Sequence, residues 1–204
     1  MTDYLILIPL GYLLGAVPVG LIAGKVFGRV DVREYGSGKM GMTNVMRTVG
    51  VPVAVLVLLL DMGKGVGAVV LARIISDSAG VESAAALAAL FGHNWPIFIG
   101  FRGGRGTATG WGSLLILWPV AGLVSTLVGL PLVGISRYVS LGSIVATVVG
   151  CVMLIVAAST GLVPMGYIWY AIIGGTLVVV RHRDNIQRLI KGEERKIGQS
   201  AKAV

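Results

Sequence analysis

Apolar residues run through this chain in long blocks, not at the helical or alternating spacing of an element that is half in water. The blocks cover about 4–26, 52–75, 83–100, 106–135, 144–159 and 163–180, and glycine-rich or charged sequence separates them. A helix needs about 20 apolar residues to cross a hydrocarbon core of ~30 Å, so these blocks read as membrane spans. The fourth block is too long for one span and has Pro119 in its middle. Proline suits the first turn of a helix and breaks its interior. The block is therefore predicted as two short helices, about 106–118 and 119–136, that turn near Trp118 and Pro119. The expected fold class is an all-α membrane protein of seven transmembrane helices, built by residues 1–204 as a single domain. In the first span Gly11, Gly15, Gly20 and Gly24 fall mostly four or five apart, a face for close helix packing.

Composition supports lipid as the solvent. Of 204 residues, 55% are hydrophobic and 13% charged, and mean hydropathy is +0.88. Soluble domains carry about 25% charged residues. The net charge is +8, but the basic residues cluster between the apolar blocks. On seven spans, every Lys and Arg except Lys64 and Arg73 falls on one side. The positive-inside rule makes that side cytoplasmic, with the N-terminus outside and the C-terminus in the cytoplasm. No basic stretch carries interleaved stacking aromatics, so nucleic acid is not an expected partner. The N-terminus has Asp3 and no basic region before its apolar run, so it reads as a retained span and not a secretory signal. The lone Cys151 lies in an apolar block and reads as a small hydrophobe.

Four polar patches fall on the predicted cytoplasmic face: 36–47, 92–106, 137–143 and 182–194. They mix Ser, Thr, Asn, His and Arg with glycine. That is an inventory for holding phosphate and hydroxyl groups. The stretch Phe101-Arg102-Gly103-Gly104-Arg105-Gly106 is the densest. Glycines allow a tight turn that bares backbone N–H groups, and arginine presents a fork of donors to phosphate oxygens. The bland reading is a connection whose arginines only set membrane orientation. Asp61 and Lys64 lie three apart within the second span, on one helix face and near mid-bilayer. They are either a buried ion pair that pins helices or part of a site.

Several chemistries find no pattern. Gly36-x-Gly38-x-x-Gly41 matches a dinucleotide fingerprint, but no strand precedes it and Asp61, at the acidic position, lies inside a span. His93 and His182 have no Cys or carboxylate at ligand spacing, so neither a metal nor a cofactor is expected. Ser37, Ser140 and Ser143 lack the partners of a triad. Neither histidine has an Asp five residues later, which counts against the common lipid acyltransferases that use such a pair.

Several stretches together resemble the bacterial integral-membrane glycerol-3-phosphate acyltransferases that use acyl phosphate. They are Gly36-Ser37-Gly38-x-x-Gly41-x-Thr43-Asn44-x-x-Arg47, Gly92-His93-x-x-Pro96 with the glycine–arginine loop and Ala108-Thr109, and His182-Arg183-x-Asn185-Ile186-x-Arg188-Leu189-x-x-Gly192-x-Glu194. Asp61-x-x-Lys64-Gly65 and Arg137-Tyr138-Val139-Ser140 also fit. The resemblance implies transfer of an acyl group from acyl phosphate to the 1-hydroxyl of sn-glycerol 3-phosphate, giving lysophosphatidate and phosphate without a covalent acyl-enzyme. It implies a multi-pass protein of the bacterial inner membrane with a cytoplasmic site, and the enzyme that makes acyl phosphate as a neighbour. Carried over, the catalytic set is Ser37, Thr43, Asn44, Arg47, His93, Arg105, Ser143, His182 and Asn185, and the phosphate-holding set is Gly41, Arg47, Gly103, Gly104, Arg105 and Arg188. The chain departs from the pattern at Lys39 (usually Asn), Met42 (usually Ala), and Arg102 and Arg105 (usually Lys). These changes leave a divergent paralogue with another acceptor as one alternative. A transporter or binding protein for a phosphorylated metabolite is the other.

Overall fold

The computed structural model describes residues 1–199; the end of the expected basic tail, 200–204, lies outside the described residues. Among the described residues every regular element is helical. The first apolar block forms α1 (Thr2–Ala16) and α2 (Val19–Ala23), which runs on through a wide turn to Gly28. Pro18 breaks the two apart, since it cannot donate to a helical carbonyl. The polar loop that follows folds a short α3 (Met42–Thr48). Next come α4 (Val51–Ile75) and α5 (Ala79–Asn94). Glu82, expected in an external loop, sits buried in the first turn of α5. Its carboxylate is 2.7 Å from Arg73 Nη2 and accepts from Tyr167 Oη at 2.9 Å.

The long apolar block divides as predicted at Trp118 into α6 (Thr107–Leu117) and α7 (Pro119–Ser136). Only α6 is short. With 18 residues, α7 is long and apolar enough to cross a membrane, as are Thr2–Gly28, Val51–Ile75 and α8 (Val139–Ser159). α8 begins five residues before the predicted start at Ile144, so Ser140 and Ser143 lie on its first turns and not in a loop. The last apolar helix runs from Tyr167 to Arg181. Its ends are α9 (Tyr167–Trp169) and α10 (Gly175–Arg181), and a π-helical turn at Tyr170–Gly174 lies between them. α11 (Arg183–Ile190) closes the chain's regular structure.

Small residues let these helices touch backbone to backbone. Gly11 and Gly15 of α1 face Ala85 and Ala89 of α5; a Cβ on Gly11 would stand 2.7 Å from the Ala85 carbonyl oxygen. Gly65 of α4 leaves room for the Thr109 carbonyl of α6, and Gly112 for that of Met62. Large side chains such as Leu5, Leu59, Leu127, Val156 and Trp169 stay exposed on the outer faces. Such a surface suits lipid and not water.

Candidate active site

The four polar patches meet at one cavity of about 410 Å³. Its wall takes Ser37, Gly41, Thr43, Asn44 and Arg47 from the first patch and His93 and Arg105 from the second. Ser143 comes from α8, and His182, Asn185 and Arg188 from the last patch. An apolar arm continues between α6, α7, α8 and α10, past Leu114, Leu130, Val133, Cys151 and Val178. The wide turn in the last helix adds Tyr170 and Gly174 to that wall. The cavity is thus cationic at one end and oily at the other.

Asn44 is placed differently from a substrate ligand. It is 2% exposed, and its amide ties the loop 32–44 together. Nδ2 donates to the carbonyls of Val32 (2.7 Å), Tyr35 (3.0 Å) and Lys39 (2.8 Å), and Oδ1 accepts from the Ser37 N–H at 3.1 Å. No donor is left for a ligand. Asn44 thus ties the backbone at Ser37 and Lys39, two residues that line the cavity.

The glycine loop also works in an unexpected way. Gly103 and Gly104 do not line the cavity; they lie against His93. The Gly104 N–H already donates to the His93 carbonyl at 3.1 Å. A Cβ on Gly103 would overlap that carbonyl, and one on Gly104 would overlap the imidazole. Of the two loop arginines, Arg102 points out to solvent and Arg105 reaches the cavity. Burial and the nearby Arg188 push the Arg105 guanidinium down to about 10, still charged at neutral pH. Gly106, Thr107 and Ala108 bring the start of α6 to the cavity wall, where unpaired N–H groups favour an anion.

Sequence reasoning gave no role to two residues that hold the site together. Glu194, 5% exposed, accepts from Ser140 Oγ (2.8 Å), Asn185 Nδ2 (2.7 Å) and Arg188 Nε (2.7 Å). Burial alone would raise its pKa, but these three donors hold it below the ordinary glutamate value. Arg181 donates to the Gly104 carbonyl at 2.8 Å and stacks over the Trp95 ring, 5.0 Å from its centroid. It fixes the glycine loop from behind. Glu194 already stood in the resembling stretch, four residues past the end of α11; its companions only the fold could name.

The histidines differ in surroundings. His93 Nδ1 lies 3.5 Å from Asp61 Oδ1, which pairs with Lys64 Nζ at 2.7 Å. Lys64 also donates to the Val17 carbonyl at the break between α1 and α2, at 2.5 Å. Asp61 and Lys64 are therefore a buried pair, and Asp61 and His93 both line the cavity. His182 Nδ1 is 2.8 Å from the Val178 carbonyl. A carbonyl only accepts, so Nδ1 carries the proton and Nε2 of the neutral ring is free to accept. Burial pushes His182 down to about 4. Nε of Arg47, Nε of Arg105 and Oδ1 of Asn185 are buried without a hydrogen-bond partner among the described residues.

A family model described as glycerol-3-phosphate acyltransferase matches residues 5–192. The chain belongs to the glycerol-3-phosphate acyltransferase family. A glycerol-3-phosphate acyltransferase of Rubrobacter xylanophilus is 44% identical over 193 residues, covering 95% of this chain and 94% of the relative. One from Halalkalibacterium halodurans is 44% identical over 190 residues, covering 92% of each. The crystal structure of PlsY (YgiH), an integral membrane glycerol 3-phosphate acyltransferase, matches in its glycerol 3-phosphate form with a TM-score of 0.89 and 40% identity, covering 96% of each chain. Its lysophosphatidic acid form matches with a TM-score of 0.86. The shared fold of this acyltransferase family is that of an integral membrane protein, in line with the helices and lipid-suited surface above.

Proposed function

We propose that this protein transfers an acyl group from acyl phosphate to the 1-hydroxyl of glycerol 3-phosphate. The observation that carries this reading is the two-ended cavity: Arg47, Arg105 and Arg188 on its wall beside an apolar arm. Phosphate groups suit the first and an acyl tail the second. Acyl phosphate is a mixed anhydride, already activated, so the attacking hydroxyl needs only to be held in line with the carbonyl carbon. The new ester C–O bond forms, the C–O bond to phosphate breaks, and the hydroxyl proton leaves with the phosphate. A side chain that titrates near 4 is a weak base at neutral pH. His182 Nε2 therefore orients the hydroxyl while the donor phosphate, which grows more basic as its C–O bond breaks, takes the proton. The arginines stabilise the charge that builds on the leaving phosphate.

The same reading extends to topology. All seven apolar segments would cross or enter the bilayer, with the N-terminus outside and the site on the cytoplasmic face of the cell membrane. The enzyme that supplies acyl phosphate is then the natural neighbour. Purified protein in detergent should release phosphate from palmitoyl phosphate only when glycerol 3-phosphate is present, and should form lysophosphatidate in equal amount. Turnover with acyl-CoA or acyl-carrier thioesters instead would refute the donor. Passage of glycerol 3-phosphate into liposomes without acylation would refute the enzyme.

A further inference from the structure

Lys39 lines the cavity beside Ser37. Its backbone is clamped on both sides. The Lys39 carbonyl accepts from Asn44 Nδ2 at 2.8 Å, and the next residue, Met40, is 1% exposed under Gly20 of α2. The side chain is partly buried, and among the described residues no carboxylate lies within 4.0 Å of its ammonium. The charges it faces are chiefly cationic: Arg181, Arg105 and Arg183, against Asp184 alone. A lysine set in a wall of like charge, without a counter-ion from the protein, fits a site whose counter-ion arrives with the ligand.

We infer that Lys39 is a substrate-binding residue whose ammonium meets a phosphoryl group on the side of the cavity shared with Arg105. This rests on the acyltransferase reading, in which both reactants carry such a group. The ammonium is a compact charge on a flexible stem, so it can follow phosphate oxygens that move as the donor is cleaved. Burial and the neighbouring arginines lower its pKa, and an arriving anion would offset both effects. Lys39 thus adds a grip from the first loop to those of Arg47 and Arg105.

The test uses the full chain in detergent with Lys39→Met, Lys39→Arg and, as a control for net charge, Lys191→Gln, which alters an exposed lysine. Binding of inorganic phosphate and of glycerol 3-phosphate is measured by calorimetry, and KM and kcat for each substrate by phosphate release. A lost charge-assisted contact at a half-buried site should weaken phosphate binding and raise one KM roughly tenfold, with kcat changed less. Lys39→Arg should recover most of the loss, and Lys191→Gln should match wild type. A shift in the KM of the donor places Lys39 on acyl phosphate; a shift in that of the acceptor places it on glycerol 3-phosphate. Unchanged phosphate binding and unchanged KM values in a folded Lys39→Met protein would overturn the assignment, as would an equal loss in Lys191→Gln. Absence of wild-type turnover with acyl phosphate would instead end the acyl-phosphate reading of the site and leave the Lys39 assignment to the binding data, because phosphate binding is measured without turnover.

Discussion

Replacing Glu194 tests whether the site is held together from the tail. Its carboxylate is 5% exposed and takes three donors at 2.7–2.8 Å, from α8 (Ser140) and from α11 (Asn185 and Arg188). Removing one member of a buried charged pair costs about 3–5 kcal/mol, mostly because the partners are left unpaired. Arg188 is 34% exposed and can turn to water, so Glu194→Ala should fall near the lower end, about 3 kcal/mol. Glu194→Gln keeps an oxygen for Ser140 and Asn185 but sets an NH2 donor against Arg188 Nε, so the charge and that one hydrogen bond are lost together. This change should cost about 1–2 kcal/mol. Denaturation in mixed micelles measures the stability, and phosphate release measures the activity. Activity should fall in both variants, since Asn185 and Arg188 lose their orientation. The group also predicts an acid limit. Its folded pKa lies below the ordinary 4.5, so its contribution is complete above that value and is lost as pH falls through the folded pKa. Full stability in Glu194→Ala, or an acid limit unchanged by Glu194→Gln, would refute the reasoning.

Three further outcomes follow from the geometry. His182 titrates near 4 in the folded protein against 6.5 for a free imidazole, so the unfolded chain binds more protons between those values; the neutral ring persists, and kcat/KM should show no histidine limb, until pH falls well below 6.5 towards 4. Gly103→Ala would drive a Cβ into the His93 carbonyl and to 2.7 Å from the Asn94 carbonyl oxygen, so turnover should drop sharply while melting shifts by only the ~1–3 kcal/mol of an overpacked site. Asp61→Asn leaves Lys64 buried beside a neutral amide and should destabilise by about 3–5 kcal/mol, whereas Asp61→Asn with Lys64→Met should recover stability. Recovery of activity along with stability in that double variant would mark the pair as a brace; stability without activity would mark a role in the site.

What was legible in the sequence was whatever a single segment carries by itself. The apolar blocks announced the helices, and Pro119 announced the turn at Trp118, because proline chemistry is local. The spacing of Asp61 and Lys64 announced their pairing. Helix starts were harder. Val139-Ser140-Leu141-Gly142-Ser143 reads as a polar connection, but both serines lie on α8 and line the cavity, and the Ser140 hydroxyl donates to Glu194. The break at Pro18 was hidden inside a continuous apolar run. At the site, residue types pointed to phosphate chemistry, and the catalytic candidates did converge. Their division of labour was not legible. Asn44 looks like a ligand in sequence and proves to bind only backbone, because its partners at Val32, Tyr35 and Lys39 are set by the path of the loop. Arg181 looks like one more membrane-surface cation and proves to hold the glycine loop.

The charge balance of the cavity explains why so many of the contacts around it serve to hold cations in position. Lys39, Arg47, Arg105, Arg188 and Arg195 line it, against Asp61 and Glu194. Asp61 is already matched by Lys64, and Glu194 by Arg188. The remaining cations repel one another, and burial makes their charge dearer still; both effects push Arg47 and Lys39 below their ordinary pKa values. Left free, these side chains would swing out to water. They are held by backbone ties: Arg47 Nη2 to the Arg195 carbonyl at 3.0 Å, the Lys39 backbone to Asn44, and the Arg105 loop to Arg181. A site strained in this way gains most from a reactant pair that is rich in negative charge, and in the proposed reaction the gain would grow as the phosphate departs with the charge of the broken bond. On the proposed mechanism the protein therefore needs no general base stronger than the leaving group; it needs its cations kept in place before the substrates arrive.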